Sequence, residues 1–101
     1  MIIYNVTVKI DNDAQAEWLS WMKNTHIPDV MNTGLFVEHT FSRIVTLQQD
    51  ETGQTYSIQY RCNDLSTLQQ YQDIFAPKLQ QEHSKKFEGK FVAFRTILEE
   101  V

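Results

Sequence analysis

The stretch MIIYNVTVKIDNDAQAEWLSWM, residues 1–22, changes its hydrophobic period halfway along, and this change decides the first part of the fold. Apolar and polar residues alternate over residues 2–10, which predicts a strand. The polar residues 11–13 stop this alternation and offer helix caps. Beyond them, Trp18, Trp21 and Met22 recur at helical spacing. The sequence therefore predicts a strand followed directly by an amphipathic helix.

The middle of the chain predicts a β-hairpin. We expect the first helix to bend at Pro28 and to end before Gly34, which suits the left-handed position after a helix. Residues 35–47 then predict a long second strand, and the clean alternation of residues 55–62 predicts a third. Between them, Asp50 and Gly53 are placed as the first and last residues of a turn.

A second helix and a last strand complete the pattern. Ser66 and Gln69 match a capping box, in which each side chain satisfies a free backbone N–H of the other. Pro77 is expected to bend or break this helix, and Gly89 to release the chain into a final strand, residues 90–99. The apolar stripe of the helix consists of Leu68, Tyr71, Phe75 and Leu79.

The order strand, helix, strand, strand, helix, strand predicts an α+β, ferredoxin-like βαββαβ fold. Its four-stranded antiparallel sheet carries both helices on one face. We expect residues 1–101 to form one domain, since 101 residues are typical of a single domain.

The last strand is apolar at both its odd-numbered and its even-numbered positions, which point to opposite faces of the sheet. This indicates that the second sheet face is also covered. We expect Val92, Phe94 and Leu98 to face the helices, which leaves Phe91, Ala93 and Ile97 facing away together with Ile3. A second copy of the sheet would cover them, which predicts a homodimer with paired sheets, a dimeric α/β barrel. The alternative is that they are scattered surface residues, which are common.

Composition argues against several classes of partner. The formal net charge is −4 and no Lys or Arg stripe is present, so we expect no nucleic-acid partner. No apolar run approaches the length of a membrane span. The first residues lack the pattern of a signal peptide, and Cys62, the one cysteine, cannot form an intrachain disulfide. We therefore expect a cytoplasmic protein without a membrane partner.

Several segments resemble a known group of proteins. HIPDV, residues 26–30, resembles the His-x-Pro element that EthD and NIPSNAP families carry late in their first helix. Four longer segments resemble, in register, an uncharacterised bacterial domain-of-unknown-function family of the dimeric α/β-barrel superfamily. They are WLSWMKNTHIPDVMNTGLF, YSIQYRC, APKLQQEHSKKF and FVAFRTILE. This resemblance implies the fold and the homodimer. It implies no activity, because superfamily members catalyse different reactions with different residues.

His26 and His83 are candidate ligand-binding residues. Each continues the apolar stripe of its helix, and Pro28 or Pro77 lies close by in the same helix. A functional interpretation makes them acid/base or ligand-binding groups of one pocket. A structural interpretation makes them partners of backbone carbonyls left free near the prolines.

Arg95, Arg61 and Trp21 are further candidates. Arg95 is expected to point toward the paired sheet, on the same face as Arg61. There the two could bind an organic carboxylate or phosphate, or Arg95 could pair with an acid such as Glu38 or Glu99. A bulge in the second strand would exchange the face of Glu38 with that of His39 and Arg43. Trp21 could belong to an aromatic pocket or to the core.

Known motifs for metals and cofactors are missing from the sequence. The three histidines lack metal-ligand spacing, and neither a phosphate-binding loop nor a nucleophile elbow occurs. We therefore expect no metal and no cofactor. The favoured function is a homodimer that binds a small organic molecule, which could be anionic, in a helix–sheet pocket or in the dimer lumen. The alternatives are a non-catalytic interaction module and a cofactor-free monooxygenase- or isomerase-like enzyme.

Overall fold

The computed structural model describes residues 1–46 and 52–101, and it has the predicted α+β, ferredoxin-like order of elements. The sheet is antiparallel, and its strands lie in the order β2-β3-β1-β4. The elements are β1 (Ile2–Asp11), α1 (Gln15–Trp21), α2 (Ile27–Met31), β2 (Glu38–Arg43), β3 (Gly53–Cys62), α3 (Leu65–Ile74), α4 (Ala76–Lys86) and β4 (Phe91–Glu99).

The two central strands supply the floor of the core. Tyr4 pairs with Tyr60 and Val8 with Tyr56, so these side chains share the face that the helices cover. From the helices, Trp18 and Leu68 are buried against this floor at 0% and 1% exposure. Cys62 is also buried on this face. Burial of this apolar face is the main term that stabilises a two-layer domain.

The first helical run contains a π-helical segment, Met22–His26, between α1 and α2. Within this run the Ile27 N–H donates to the Met22 carbonyl, a step of five residues in place of four. Pro28 follows in the first turn of α2. Since Pro28 has no N–H to donate, the wider turn just before it replaces the simple bend that the sequence predicts. Gly34 ends the run with a φ of 79°, as predicted.

The assignment of faces in β4 is opposite to the prediction. β1 pairs Ile10 with Phe91 and Val8 with Ala93, so Phe91, Ala93, Arg95 and Ile97 lie on the helix face. Val92, Phe94, Thr96 and Leu98 lie on the other face, beside Ile3, and we call this the open face. The prediction was wrong because β4 is apolar at both parities, so only its register with β1 decides which set faces the helices.

The second strand is shorter than predicted, and its faces differ from the simple alternation. β2 covers Glu38–Arg43, and its register places His39, Phe41 and Arg43 on the helix face and Glu38 on the open face. Phe36 precedes the strand and is buried against Tyr4 and Tyr71. Phe36 and Phe41 therefore both join the core despite their opposite parity. The predicted turn at Asp50 lies outside the described residues.

The second helix begins two residues earlier than predicted. Asp64 is the N-cap of α3: its carboxylate accepts hydrogen bonds from the Thr67 N–H and Oγ1–H, both 2.8 Å. Ser66 therefore lies inside the first turn, and the capping box predicted with Gln69 was wrong. The helix is interrupted near Pro77, as predicted. α3 ends at Ile74, and α4 begins at Ala76 with Pro77 in its first turn. Within residues 1–46 and 52–101, no helix has the length and apolar character that crossing a membrane requires.

Candidate functional site

A cavity of about 40 Å³ lies between the helices and the sheet, under the π-helical segment and beside β4. Each water molecule needs roughly 10–15 Å³ of such space, so the cavity accommodates about three waters. Its walls are mostly apolar and aromatic. The polar or titratable side chains that line it are those of Tyr4, His26, Tyr60, Tyr71, Gln80, His83 and Arg95.

His26 is the last residue of the π-helical segment, and its ring lines the cavity. Its Nδ1 is buried and has no hydrogen-bond partner among the described residues. The backbone carbonyl contact expected from the structural interpretation is therefore not made by this atom. Burial lowers the pKa of His26 to about 4, opposed by the Asp29 carboxylate and reinforced by the Arg95 cation, so the ring is neutral at pH 7.

His83 comes to the same cavity from α4. Its Nε2 accepts a hydrogen bond of 2.9 Å from the Trp18 Nε1–H. A neutral His83 consequently carries its proton on Nδ1. Burial lowers its pKa to about 4, helped by His26 and Arg95. The His83 ring packs edge-on against the Phe91 ring, with ring centroids 4.4 Å apart. Its centroid lies 5.7 Å from that of the His26 ring. The two helices therefore bring their histidine rings close together, an arrangement that the sequence left open beside two separate structural contacts.

Arg95 reaches the cavity from β4, on the helix face and away from the predicted interface. Its Nε donates to the Tyr4 hydroxyl at 3.1 Å. Of the acids expected as its partners, Glu38 instead pairs with Arg61 at 2.9 Å. Within the described part of the chain, the terminal nitrogens of Arg95 make no hydrogen bond or ion pair. Arg95 is exposed, so the guanidinium stands at the mouth of the cavity.

The remaining two candidates have different positions. Trp21 stacks on His26, with ring centroids 5.1 Å apart, and supports that ring without lining the cavity. Arg61 lies on the open face, where it forms ion pairs with Glu38 and Glu100. The structure thus brings together His26, His83 and Arg95, supported by Trp21, and keeps Arg61 apart.

Gln80 lines the cavity but was not singled out from the sequence as a ligand-binding residue. It belongs to a polar helix turn, so no local signal marks it. The hydroxyls of Tyr60 and Tyr71 stay protonated, because burial raises the pKa of both. Of the described residues that line the cavity, Arg95 alone is charged at neutral pH. The site is therefore a small, mostly apolar space with one cation at its edge.

Among residues 1–46 and 52–101, no three His, Cys, Asp or Glu side chains come together as metal ligands would. The Nε2 of His83, one of the two ring nitrogens a metal could use, is already bonded to Trp18. The arrangement suits recognition by hydrogen bonds and one charge.

Comparison with known proteins agrees with the class that this architecture defines, an α+β ferredoxin-like protein. The chain belongs to the family described as Domain of unknown function (DUF4286), whose sequence model matches residues 1–101. No curated protein matches the chain.

Solved structures of similar fold come from several groups. An ethyl tert-butyl ether D (EthD) family protein from Bacillus halodurans has a TM-score of 0.68 at 20% identity, with 100% of each chain covered. A mutant of SnoaB, a cofactor-independent oxygenase from Streptomyces nogalater, has a TM-score of 0.66 at 15% identity, covering 98% of this chain and 92% of that one. A dimeric ferredoxin-like protein from an uncultured marine organism has a TM-score of 0.67 at 14% identity, covering 100% of this chain and 95% of that one. At these identities the likeness concerns the fold.

Proposed function

We propose that this protein binds a small organic molecule in the cavity between helices and sheet, with His26 and Arg95 as its polar anchors. The observation that carries the proposal is the exposed Arg95 guanidinium at the mouth of the cavity, whose terminal nitrogens make no hydrogen bond within the described part of the chain. The neutral His26 ring lines the same cavity.

The positive charge of Arg95 at the cavity mouth favours a ligand with an anionic group or a strong hydrogen-bond acceptor. Arg95 presents terminal N–H donors without a protein partner, and a guanidinium binds a carboxylate through two parallel hydrogen bonds. Arg61, the other candidate cation, is already neutralised by two ion pairs on the open face. This difference favours the helix–sheet cavity over a dimer lumen as the binding site.

We favour binding over proton abstraction as the role of His26. A general base works best when its pKa lies near the working pH, and the pKa of His26 is lowered to about 4. Such an imidazole accepts a hydrogen bond but holds an abstracted proton poorly at pH 7. A cofactor-free oxygenase or isomerase, an activity class represented among proteins of similar fold by SnoaB, would need a stronger base or another group.

A thermal-shift screen of small organic acids, alcohols and ketones against the wild-type protein tests the proposal. A ligand present at 100 times its Kd stabilises the folded state by about 2.7 kcal/mol, which raises Tm by several degrees or more. We expect hits among the acids, with the shift abolished in Arg95→Gln and kept in Arg43→Gln, an arginine at the opposite edge of the sheet. Hits that shift Arg95→Gln equally would place the site elsewhere and contradict the proposal.

A homodimeric interaction module is the second candidate. It is supported by the open face, where Val92 and Phe94 are 66% and 63% exposed on an edge strand. Monomeric proteins rarely leave neighbouring large apolar side chains in water. In this view a second copy covers the open face, and the dimer itself is the functional unit. The same screen distinguishes the candidates, because the module predicts no shift with any small molecule.

A further inference from the structure

Among the described residues, no strand pairs with the outer edge of β2. The Ile44 N–H donates to the Thr55 carbonyl at 2.9 Å, and these two residues continue the register of β2 with β3. Hydrogen-bonded pairs alternate along an antiparallel ladder, so the residues that bond to β3 are Ile44 and every second residue before it. The backbone N–H and C=O groups of His39, Phe41 and Arg43 therefore point away from the sheet.

The side chains of the same three residues lie on the helix face, where they form one wall of a groove. The other wall comes from the first helical run, through residues four positions apart: Leu19, Lys23, Ile27 and Met31. The groove consists of two depressions of about 300 and 390 Å³, which share Lys23 and Phe41, and we call it the edge groove. Apolar side chains thus lie directly beside backbone groups that no strand pairs.

The charges of the edge groove are positive, although the whole chain has a formal net charge of −4. Lys23 and Arg43 line the same depression, and neither forms an ion pair within the described part of the chain. The Arg43 guanidinium contacts the neutral amide of Gln54 at 3.5 Å. The acids nearest along the chain lie elsewhere: Glu38 forms an ion pair on the open face, and Asp29 lines a different depression. A carboxylate would complement the two cations.

We propose that the edge groove binds an extended acidic segment of another protein, which joins the sheet as a strand antiparallel to β2. In this mode of recognition, main-chain hydrogen bonds to a sheet edge supply affinity, and pockets for alternate side chains supply specificity. The antiparallel direction matches the rest of the sheet and gives the more stable pairing per residue. The inference does not rest on the ligand cavity, which lies beside β4 at the other edge of the sheet.

The lining of the edge groove determines the pattern of the segment. Its side chains opposite Arg43, Phe41 and His39 would point to the helix face and enter the groove, while those between them would not. The depression at Arg43 holds both cations and suits a carboxylate. The depression at His39 is lined by Ile27 and Met31 and suits an apolar side chain. From its N-terminus, the segment therefore has an acid, any residue, a small residue opposite Phe41, any residue and an apolar residue.

The peptide TETATIT, blocked at both ends, has this pattern and serves as the probe. Its Kd is measured by NMR titration of the ¹⁵N-labelled wild-type protein, and we expect the largest shifts at the amides of His39, Phe41 and Arg43. N-methylation of its alanine removes the hydrogen bond to the Phe41 carbonyl and should weaken binding about tenfold. N-methylation of the next threonine, whose N–H points away from β2, is the matched control and should leave Kd unchanged.

Charge substitutions test the acidic specificity. The peptide TQTATIT should bind about fivefold more weakly than TETATIT, since two ion pairs with exposed cations are lost. Arg43→Glu should weaken TETATIT about tenfold, and TKTATIT should recover part of this loss, which a purely structural effect of the substitution would not allow. Lys85→Glu reverses an exposed charge on α4 and should leave the Kd of TETATIT unchanged. Circular dichroism of each variant establishes that it is folded.

Four outcomes would overturn the proposal. The first is that TETATIT fails to bind at millimolar concentration, and the second is that N-methylation of its alanine leaves Kd unchanged. The third is that the shifts occur at Phe91 and Ala93, which would place the peptide at the β4 edge. The fourth is that the β2 amides become protected from hydrogen exchange as the protein concentration rises without peptide, because a second copy then occupies the edge groove.

Discussion

His26 and His83 show how the environment of a residue changes its chemistry. In water both imidazoles would titrate near neutrality, but the His26 ring packs against Trp21 and the His83 ring against Phe91, and Arg95 adds a positive charge. Their pKa values are lowered to about 4. The Trp18 hydrogen bond further fixes the tautomer of His83. Sequence spacing places each ring on the apolar side of its helix, and packing brings the two rings together and keeps them neutral.

These lowered pKa values predict acid sensitivity of the fold. Between about pH 6.5 and pH 4 the unfolded chain binds protons at these histidines that the folded chain does not, so the free energy of unfolding falls as the pH falls through this window. The stabilisation is fully present above it. From pH 7.5 to 5.5 the expected loss is about 1 kcal/mol for each histidine, measured by urea unfolding.

His26→Leu is the matched variant for this experiment and should lose roughly half of the pH dependence. The range stops at pH 5.5 because carboxylates, whose ordinary pKa values lie near 4, contribute mainly below it. A wild-type protein whose stability is the same at both pH values would contradict the environment described for the two rings.

At the scale of the elements, the start of α3 and the faces of β4 were predicted wrongly from the sequence. The sequence predicts Ser66 with Gln69 as the cap of this helix, and the structure uses Asp64 with Thr67 instead. Its backbone is extended, with φ −159° and ψ 171°, which is the geometry of a residue just outside a helix. The choice follows from where β3 ends at Cys62, which leaves two residues to reach the first turn.

Substituting the two competing caps separates them. Asp64→Ala removes the acceptor of the Thr67 N–H and should lower the free energy of unfolding by about 1 kcal/mol. Ser66→Ala should change it by a few tenths of a kcal/mol or less, since Ser66 is exposed within the helix and alanine is a better helix former. Chemical denaturation of both variants makes the comparison. A larger loss in Ser66→Ala would show that the helix begins at the position predicted from the sequence.

At the scale of the whole molecule, the open face exposes apolar side chains that a second copy of the chain could bury. Phe94 and Val92 are the most exposed members, joined by Leu98 at 40% exposure and by Ile3 on the neighbouring strand. These are not the residues expected from the sequence to face away, yet the excess of apolar surface is present all the same. A strand that is apolar at both parities presents such residues on each face whichever register it adopts. The argument for a homodimer therefore survives the exchange of faces.

Sedimentation at micromolar concentration tests the homodimer. We expect the wild-type protein to sediment as a dimer and Phe94→Asp as a monomer, because a charge placed in an apolar interface must be desolvated without a partner. Leu65→Asp is the matched control: Leu65 is 58% exposed at the start of α3, on the helix side, and its substitution should leave the dimer intact. A wild-type protein that sediments as a monomer would refute the idea that a second copy covers the open face.

The sequence by itself determined the element order, the ferredoxin-like fold and the turn glycines Gly34 and Gly89. These follow from hydrophobic period and backbone conformational preference, which are local properties. Tertiary structure alone decided the face of Arg95, the cap of α3 and the convergence of the His26 and His83 rings. Each of these depends on how one strand registers with another or on which atoms meet across the core, and the period of a single segment carries no information about either.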